Sequence, residues 1–456
     1  MAAFQPASTK KRLYRHTRRQ RGAVNILVAV LLLAMCGVLG LAIDSGLGYM
    51  VRARLDAATD GAVIAAGQAV TRGNNQSEQI ANAKAAASAF FDANFPVGFL
   101  GSTVTAGTPS IVFDQGTVTI DMSASAKLPV TFAQTMGFNL LNISAASQAI
   151  RKTLDMAFVV DTTGSMNTSG VPAAVRANAI NFLNNFDVTN DRVALMHFAY
   201  GTQIDVPFNG NTRGFDRTAM ATAINKYAFS GSTNSAEGLW HARDQLNNAI
   251  TQPSSLRVIV FFSDGSPNSF ASMFDTTATA CNNTAGTVVT DDNGKLGGAL
   301  YRIDQLSQAV ASPCYNGNAA SLIKTLPQWY NAHDKNDQTF PIWPVSSPRP
   351  VTNGNVTGTN VNNISRNLLE AIAAKARSEG IYVFTLGLGD LLLTKQGAGD
   401  TEYGQDVLKC IANTPDSLSR CYNPKQPVGV YCHAATAADL KPCFSQLASQ
   451  ILRISK

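Results

Sequence analysis

Apolar positions along the chain follow three successive rhythms. The first is continuous: Ala23 to Ile43 carries no charge over 21 residues, broken only by Asn25, Gly37 and Gly40. A helix of that length rises about 31 Å, the hydrocarbon thickness of a bilayer, so residues 23–43 read as a transmembrane helix. Leu47, Val51, Leu55, Ala58, Ala62, Ala65 and Ala69 then recur at helical spacing and carry the helix to about Val70, where the turn 72–75 ends it. Ser77 can cap a second helix with Ile80, Ala83, Ala87, Phe90 and Phe91 on one side, stopping before Pro96. From Ser102 to Ile150 the period falls to two: Val118, Ile120 and Met122 alternate with Thr119 and Asp121, and Asp114-Gln115-Gly116 reads as a hairpin turn. A helical stalk carrying a small antiparallel sheet is the expected result.

The third rhythm alternates strands and helices. Leu154 to Val160 is a near-continuous apolar run, as in a strand covered on both faces, and a helix follows from about Val171 to Phe186. Strands are expected at Arg192–Tyr200, Gln203–Phe208, Arg257–Ser263 and Ile381–Leu388, and helices at Thr218–Tyr227, Ala236–Ile250, Ser365–Ser378 and about Ala437–Ile454. Such alternation predicts an α/β fold, a doubly wound and mostly parallel sheet of Rossmann type. Residues 266–364 show little periodicity and read as an insertion. The chain thus divides into a basic tail (1–22), a membrane helix (23–43), a stalk with its small β region (44–150) and an α/β domain (151–456) that contains the insertion.

Charge gives this order a direction. The net charge of +6 over 456 residues comes from the tail, where Lys10, Lys11, Arg12, Arg15, Arg18, Arg19 and Arg21 stand without an acid. The remaining 434 residues sum to −1, which argues against a nucleic-acid-binding face on the folded part. Cations before the apolar run place the amino terminus in the cytoplasm and the bulk of the chain outside it, single-pass. The competing reading, a cleaved signal peptide, wants a shorter apolar run and a small-x-small cleavage site. Cys36 lies within the span, leaving Cys281, Cys314, Cys410, Cys421, Cys432 and Cys443, an even six that suits disulfides in an oxidising compartment. Close pairs such as Cys410 with Cys421 or Cys432 with Cys443 are one choice among fifteen pairings. No CxxC occurs and His433 stands alone beside Cys432, so the cysteines do not read as a zinc site.

Open α/β sheets bind ligands beyond the carboxyl ends of their strands. The first strand of the domain ends in Asp161-Thr162-Thr163-Gly164-Ser165, placing one carboxylate and two hydroxyls at i, i+2 and i+4 on a loop. Thr233 precedes a helix, and Asp264 ends another buried strand. Oxygen ligands alone suit a hard cation, with Mg²⁺ expected and Mn²⁺ or Ca²⁺ as alternatives. Each loop taken singly is also what a turn or a helix cap looks like. Together, Asp161, Thr163, Ser165, Thr233 and Asp264 resemble the metal-ion-dependent adhesion site of the von Willebrand factor A family, written DxSxS, then Thr, then Asp. Thr163 replaces the first Ser and keeps the hydroxyl. The resemblance covers Leu154 to about Phe270 and Ser365 to Ile454. It implies a cation bound directly by Asp161 and through water by Asp264, with one position left for an acidic side chain of a protein partner.

Other candidates carry less. His197 sits in an apolar strand and reads as a satisfied core histidine, His241 could line the site, and Asp291-Asp292-Asn293-Gly294 reads as a surface turn. No GxSxG, Walker loop or dinucleotide fingerprint stands in context, and no Ser-His-Asp or Cys-His set assembles, so no enzyme is expected.

A second resemblance lies at the amino-terminal end. Arg18-Arg19-Gln20-Arg21-Gly22-Ala23-Val24, Gly40-Leu41-Ala42-Ile43-Asp44 and Leu55-Asp56-Ala57-Ala58-Thr59-Asp60-Gly61-Ala62 are similar to the TadE/TadG-type proteins of bacterial tight-adherence (Flp) pilus systems. A pilin-type processing site would want Glu five residues after Gly22, where Leu27 stands. The resemblance implies a pilus assembly factor or minor pilus component in a bacterial membrane, facing the periplasm or cell surface, with other pilus-assembly components as partners. The alternatives are an adhesin for a host or matrix ligand, with the insertion setting specificity, and a metal-free scaffold that assembles as pilins do.

Overall fold

The computed structural model describes residues 21–70, 76–114, 117–210, 212–251, 256–265, 267–277, 284–291, 295–297, 299–307, 323–395 and 402–454. The tail through Gln20, the turn 72–75, the hairpin tip 115–116, the turn residues 292–294, Cys281 and Cys314 lie outside them. The chain divides into two compact units, one made of the chain up to Gly61 with Phe90–Gly107 and Ser123–Ser147, the other of Ala62–Ala89, Thr108–Met122 and Gln148–Lys456.

Helix α1 (Arg21–Ala69) runs unbroken for 49 residues, and α2 (Gln76–Asn94) follows. In the first unit the apolar start of α1 is bare: Val24, Ile26, Leu33 and Val38 expose 59–76% of their surface. This helix is long and apolar enough to cross a membrane. Gly40 explains itself, because a Cβ there would lie 2.4 Å from the Phe132 side chain. Just beyond, Asp44 accepts the backbone N–H groups of Thr131, Phe132 and Ala133 at 3.1, 2.9 and 2.8 Å, capping the 3₁₀ turn Ala133–Met136. Strands β1 (Thr103–Ala106), β2 (Ser110–Asp114), β3 (Thr117–Pro129) and β4 (Leu140–Lys152) form the small sheet, with β1, β2 and β4 all paired to β3. The period of two is real: Val118, Ile120, Met122, Ala124, Ala126 and Leu128 are all buried, and none of the residues between them is.

The second unit holds the α/β body. Its central strand is β5 (Leu154–Asp161), followed by α3 (Val171–Leu183), β6 (Arg192–Phe198), β7 (Thr202–Val206), α4 (Arg217–Asn225), α5 (Ser235–Asn248) and β8 (Leu256–Ser263). Next come β9 (Ser269–Thr276), β10 (Thr284–Val289) and β11 (Ile323–Thr325), then α6 (Gly358–Ser378), β12 (Tyr382–Leu388), α7 (Gly404–Ala412), β13 (Tyr431–Ala434) and α8 (Leu440–Ile454). The six-stranded sheet runs β13-β12-β8-β5-β6-β7, parallel throughout except for the edge strand β7. Every residue of β5 is buried because successive side chains serve opposite cores. Ala157 and Val159 pack with α5, α6 and α7, whereas Met156, Phe158 and Val160 pack with α3, α4 and α8. Phe158 lies 5.1 Å from the Phe182 ring and 6.0 Å from that of Phe444.

Four departures from the sequence reading have local causes. Helix α6 starts at Gly358 rather than Ser365, capped by the Thr357 hydroxyl, which accepts the Asn360 N–H at 3.2 Å. The stretch read as aperiodic contains the antiparallel sheet β10-β9-β11, whose strand β9 is buried on both sides with Ser269, Ser272 and Thr276 among its inward residues. Helix α7 and strand β13 were not expected. They sit in a region fastened by the disulfides Cys410–Cys421 and Cys432–Cys443, which tie α7 to the following loop and β13 to α8. Entry into β13 passes Gly429, whose N–H donates to Ala412 O at 2.8 Å and whose Cβ, if present, would lie 1.8 Å from Val383 O. Since both obstacles are backbone, Gly429→Ala should cost about 1–3 kcal/mol, read as a lower urea midpoint with unchanged slope.

Candidate functional site

Strands of an open parallel sheet present their carboxyl ends along one edge, and a crevice opens where successive connections run to opposite sides. That point is β5: the chain leaves it for β6 on one side and returns to β8 on the other. Asp161 ends β5 and Ser263 ends β8, with Asp264 next. Register pairing of Val160 with Phe262 puts Asp161 beside Ser263.

One run of hydrogen bonds joins the two strand ends. The Ser263 hydroxyl donates to Asp161 Oδ2 at 2.6 Å, and Asp161 Oδ1 accepts the Thr163 N–H at 2.8 Å. Thr163 Oγ1 and Ser165 Oγ are 3.0 Å apart, and Ser165 Oγ donates to Asp264 Oδ1 at 2.8 Å. The third loop closes through backbone: Gly164 N–H donates to Gly231 O at 3.0 Å and Ser230 N–H to Thr162 O at 2.9 Å. Gly231 has φ +97°, a conformation that favours glycine, and it turns the chain toward Thr233. Asn268 holds Thr233 from the far side, accepting its N–H at 2.8 Å and returning its own to Thr233 O at 3.2 Å. The Thr233 hydroxyl faces the Asp264-Gly265 turn, 3.9 Å from where a Cβ on Gly265 would stand. Asp161, Thr163, Ser165 and Asp264 therefore form one hydrogen-bonded set, with Thr233 on the adjoining loop.

Burial decides what this cluster wants. Asp161, Thr163, Thr233 and Asp264 are buried while Gly164 and Ser165 are exposed, so the oxygens lie just beneath an opening. Loss of solvent pushes the Asp161 carboxyl up to about 6, against the hydrogen bonds from Ser263 and Thr163 that pull it down. Burial, and then the neighbouring Asp161, push Asp264 well above the usual carboxylate range. Two carboxylates in one dry crevice repel; a cation between them would turn that repulsion into attraction.

Residues 155–290 match the family model of the von Willebrand factor type A domain. The chain contains a von Willebrand factor type A domain. No curated protein matches the chain significantly. Among solved structures, the pilus adhesin SpaC of Lactobacillus rhamnosus GG is similar at 15% identity over 77% of this chain and 35% of its own, with a TM-score of 0.39. The PilB minor pilin of Streptococcus sanguinis shares 15% identity over 78% of this chain and 80% of its own, at a TM-score of 0.38. The von Willebrand domain of the type V pili tip protein Mfa5 of Porphyromonas gingivalis shares 14% over 68% and 98%, at 0.39. This chain thus spans about a third of SpaC.

Two residues that support the A-domain crevice escaped the sequence reading. Ser263 is visible as the residue before Asp264 at a strand end, but its hydroxyl reads there as ordinary strand polarity. Asn268 fell inside the stretch read as insertion. The other histidines sort themselves. His197 Nδ1 lies 2.7 Å from Asp205 Oδ2 and its ring stacks on Tyr227 at 4.1 Å, a satisfied core residue. His241 points instead toward Glu237 and His333, with its Nε2 3.4 Å from Glu237 Oε1.

Proposed function

We propose that the chain is a membrane-anchored, extracytoplasmic component or assembly factor of a bacterial tight-adherence pilus, and that its A domain uses a divalent cation to hold a protein partner. Asp161, Thr163, Ser165, Thr233 and Asp264 would hold the ion, Mg²⁺ first and Mn²⁺ or Ca²⁺ as alternatives. The observation that carries the reading is the hydroxyl–carboxylate cluster at the switch point of the sheet, in the same chain as a bare apolar helix of membrane length. The donor set fits a hard cation, being all oxygen, with two carboxylates and three hydroxyls under an opening at Ser165. A cation held there keeps enough field to attract a carboxylate from outside, which is adhesion chemistry rather than catalysis.

Anchor and orientation rest on charge. Seven cations precede the apolar helix, so the tail would stay in the cytoplasm and the domains of residues 44–150 and 151–456 would stand outside. The Cys410–Cys421 and Cys432–Cys443 bridges suit that compartment. The test is piliation of cells carrying Asp161→Ala, with the protein's membrane level checked by blotting. Loss of pili at normal protein level is expected. Normal piliation with lost attachment to surfaces would point to an adhesin, and normal values of both would remove the metal from the mechanism.

A further inference from the structure

The A domain carries a second group of metal-ligating side chains, chemically unlike the first. Glu237 and His241 are four residues apart on α5, hence on one face, and His333 reaches them from the segment between β11 and α6. One ligand atom from each of the three lies within 4.8 Å of the others. His333 Nε2 is 2.6 Å from Glu237 Oε1, and His241 Nε2 is 3.4 Å from the same oxygen. From Ser235 at the start of α5 to His241 the helix rises about 9 Å, which separates this group from the Thr233 loop.

A shared oxygen is what marks the trio. Glu237 is fully buried, and its Oε1 is the common neighbour of both imidazole Nε2 atoms. The rest of the cluster is fixed as the surroundings of a metal ligand are: Glu237 Oε2 accepts the Tyr330 hydroxyl at 2.6 Å, and the His333 ring stacks on Trp240 at 3.7 Å and 12°. Donor atoms around a tetrahedral ion with bonds near 2.0 Å stand about 3.3 Å apart, so the 3.4 Å pair fits and the 2.6 Å pair needs less than 1 Å of widening.

We propose that Glu237, His241 and His333 bind a divalent transition metal of the zinc class, with water in the fourth position. Two imidazoles and one carboxylate are a borderline set that favours such ions over magnesium. The metal would fasten the segment around His333 onto α5, 96 residues from Glu237 along the chain. Both imidazoles are partly exposed, which gives the ion its entry.

Cobalt(II) titration of the detergent-solubilised full chain tests this, with saturating Mg²⁺ present to occupy the hydroxyl–carboxylate crevice. About one equivalent should bind with the intense visible bands of four-coordinate cobalt, and zinc should erase them by displacement. His241→Ala and His333→Ala should each weaken zinc binding at least 100-fold, whereas Tyr330→Phe, touching only the carboxylate's other oxygen, should cost about 10–100-fold. Asp161→Ala should leave the cobalt spectrum intact, so failure of the magnesium site and failure of this one read differently. Circular dichroism of each variant excludes loss by unfolding. An uncoloured wild-type titration, or a spectrum unchanged in both histidine variants, overturns the proposal and leaves the trio as an ion-paired strut.

Discussion

Magnesium injected into the Asp161→Ala variant should give no more heat than dilution, while the wild-type chain should bind one strong equivalent at pH 7.5. Asp264→Ala should lose at least 100-fold in affinity, because each carboxylate is the other's reason for needing a cation. The pH dependence follows from the same repulsion. Asp161 is pushed up to about 6 and Asp264 higher, so below these values protons compete with the ion and affinity falls with every unit of acid. Without metal the sign of the stability effect is the opposite of the usual carboxylate case. A carboxyl held above its unfolded value binds its proton more tightly in the fold, so its contribution is full at acid pH and is lost as pH rises through about 6. For Asp161 that loss is about 3 kcal/mol. In EDTA the melting temperature should therefore fall from about pH 4 upward through pH 6, with Asp264 extending the fall to higher pH, and saturating Mg²⁺ should abolish it. Asp161→Asn should melt higher than wild type in EDTA at pH 8 while binding no ion. A flat EDTA profile would contradict the assignment.

The parts of this molecule that were legible in its sequence are those whose residues answer to one neighbour at a time. Strand β5 showed as an apolar run because both faces of a parallel sheet are covered, and β3 showed as an alternation because only one face is. The five oxygen-bearing side chains proposed as ligands could be named since each follows a strand or precedes a helix, and the crevice depends on strand order more than on side-chain detail. Strand β9 could not be read that way, since Ser269, Ser272 and Thr276 are buried by tertiary packing; Ser272 is satisfied by Asn331 Oδ1 at 2.7 Å, 59 residues on. Helix α7 and strand β13 are short pieces that take their place from disulfides and from Gly429. The pairing of Glu237 with His333 was equally out of reach, although the Glu237–His241 spacing stood in plain view on one helix.

The largest stability loss should come from the opposite end of the sheet, at Asp191. This carboxylate is fully buried just before β6. Its Oδ2 accepts from the Arg151 guanidinium and, at 2.8 Å, from the Asp187 N–H, while Oδ1 accepts the Leu154 N–H at 3.2 Å where β5 begins. Asp187 in turn takes the Gln79 side-chain amide at 2.7 Å, so the charge sits within a network that also fixes part of α2. Asp191→Ala would leave the buried Arg151 facing a void where its counter-charge had been, together with two backbone donors deprived of their acceptor. Breaking a buried pair from one side costs about 3–5 kcal/mol, a large share of the roughly 5–15 kcal/mol that holds a typical domain folded. Asp191→Asn should cost less, since an amide oxygen can still serve one backbone donor. Paired replacement of Arg151 and Asp191 by Met and Leu should recover much of the loss, because no charge then stays buried alone. Urea denaturation followed by tryptophan fluorescence gives the ordering: the alanine variant lowest, then asparagine, with the paired variant close to wild type. Magnesium affinity per folded molecule should be the same in all of them, as the crevice lies at the other end of the strands. If alanine cost less than 1 kcal/mol, the network would be ornamental to the fold; if it abolished metal binding without lowering the urea midpoint, the two ends of β5 would be coupled in a way that rigid strand packing does not allow.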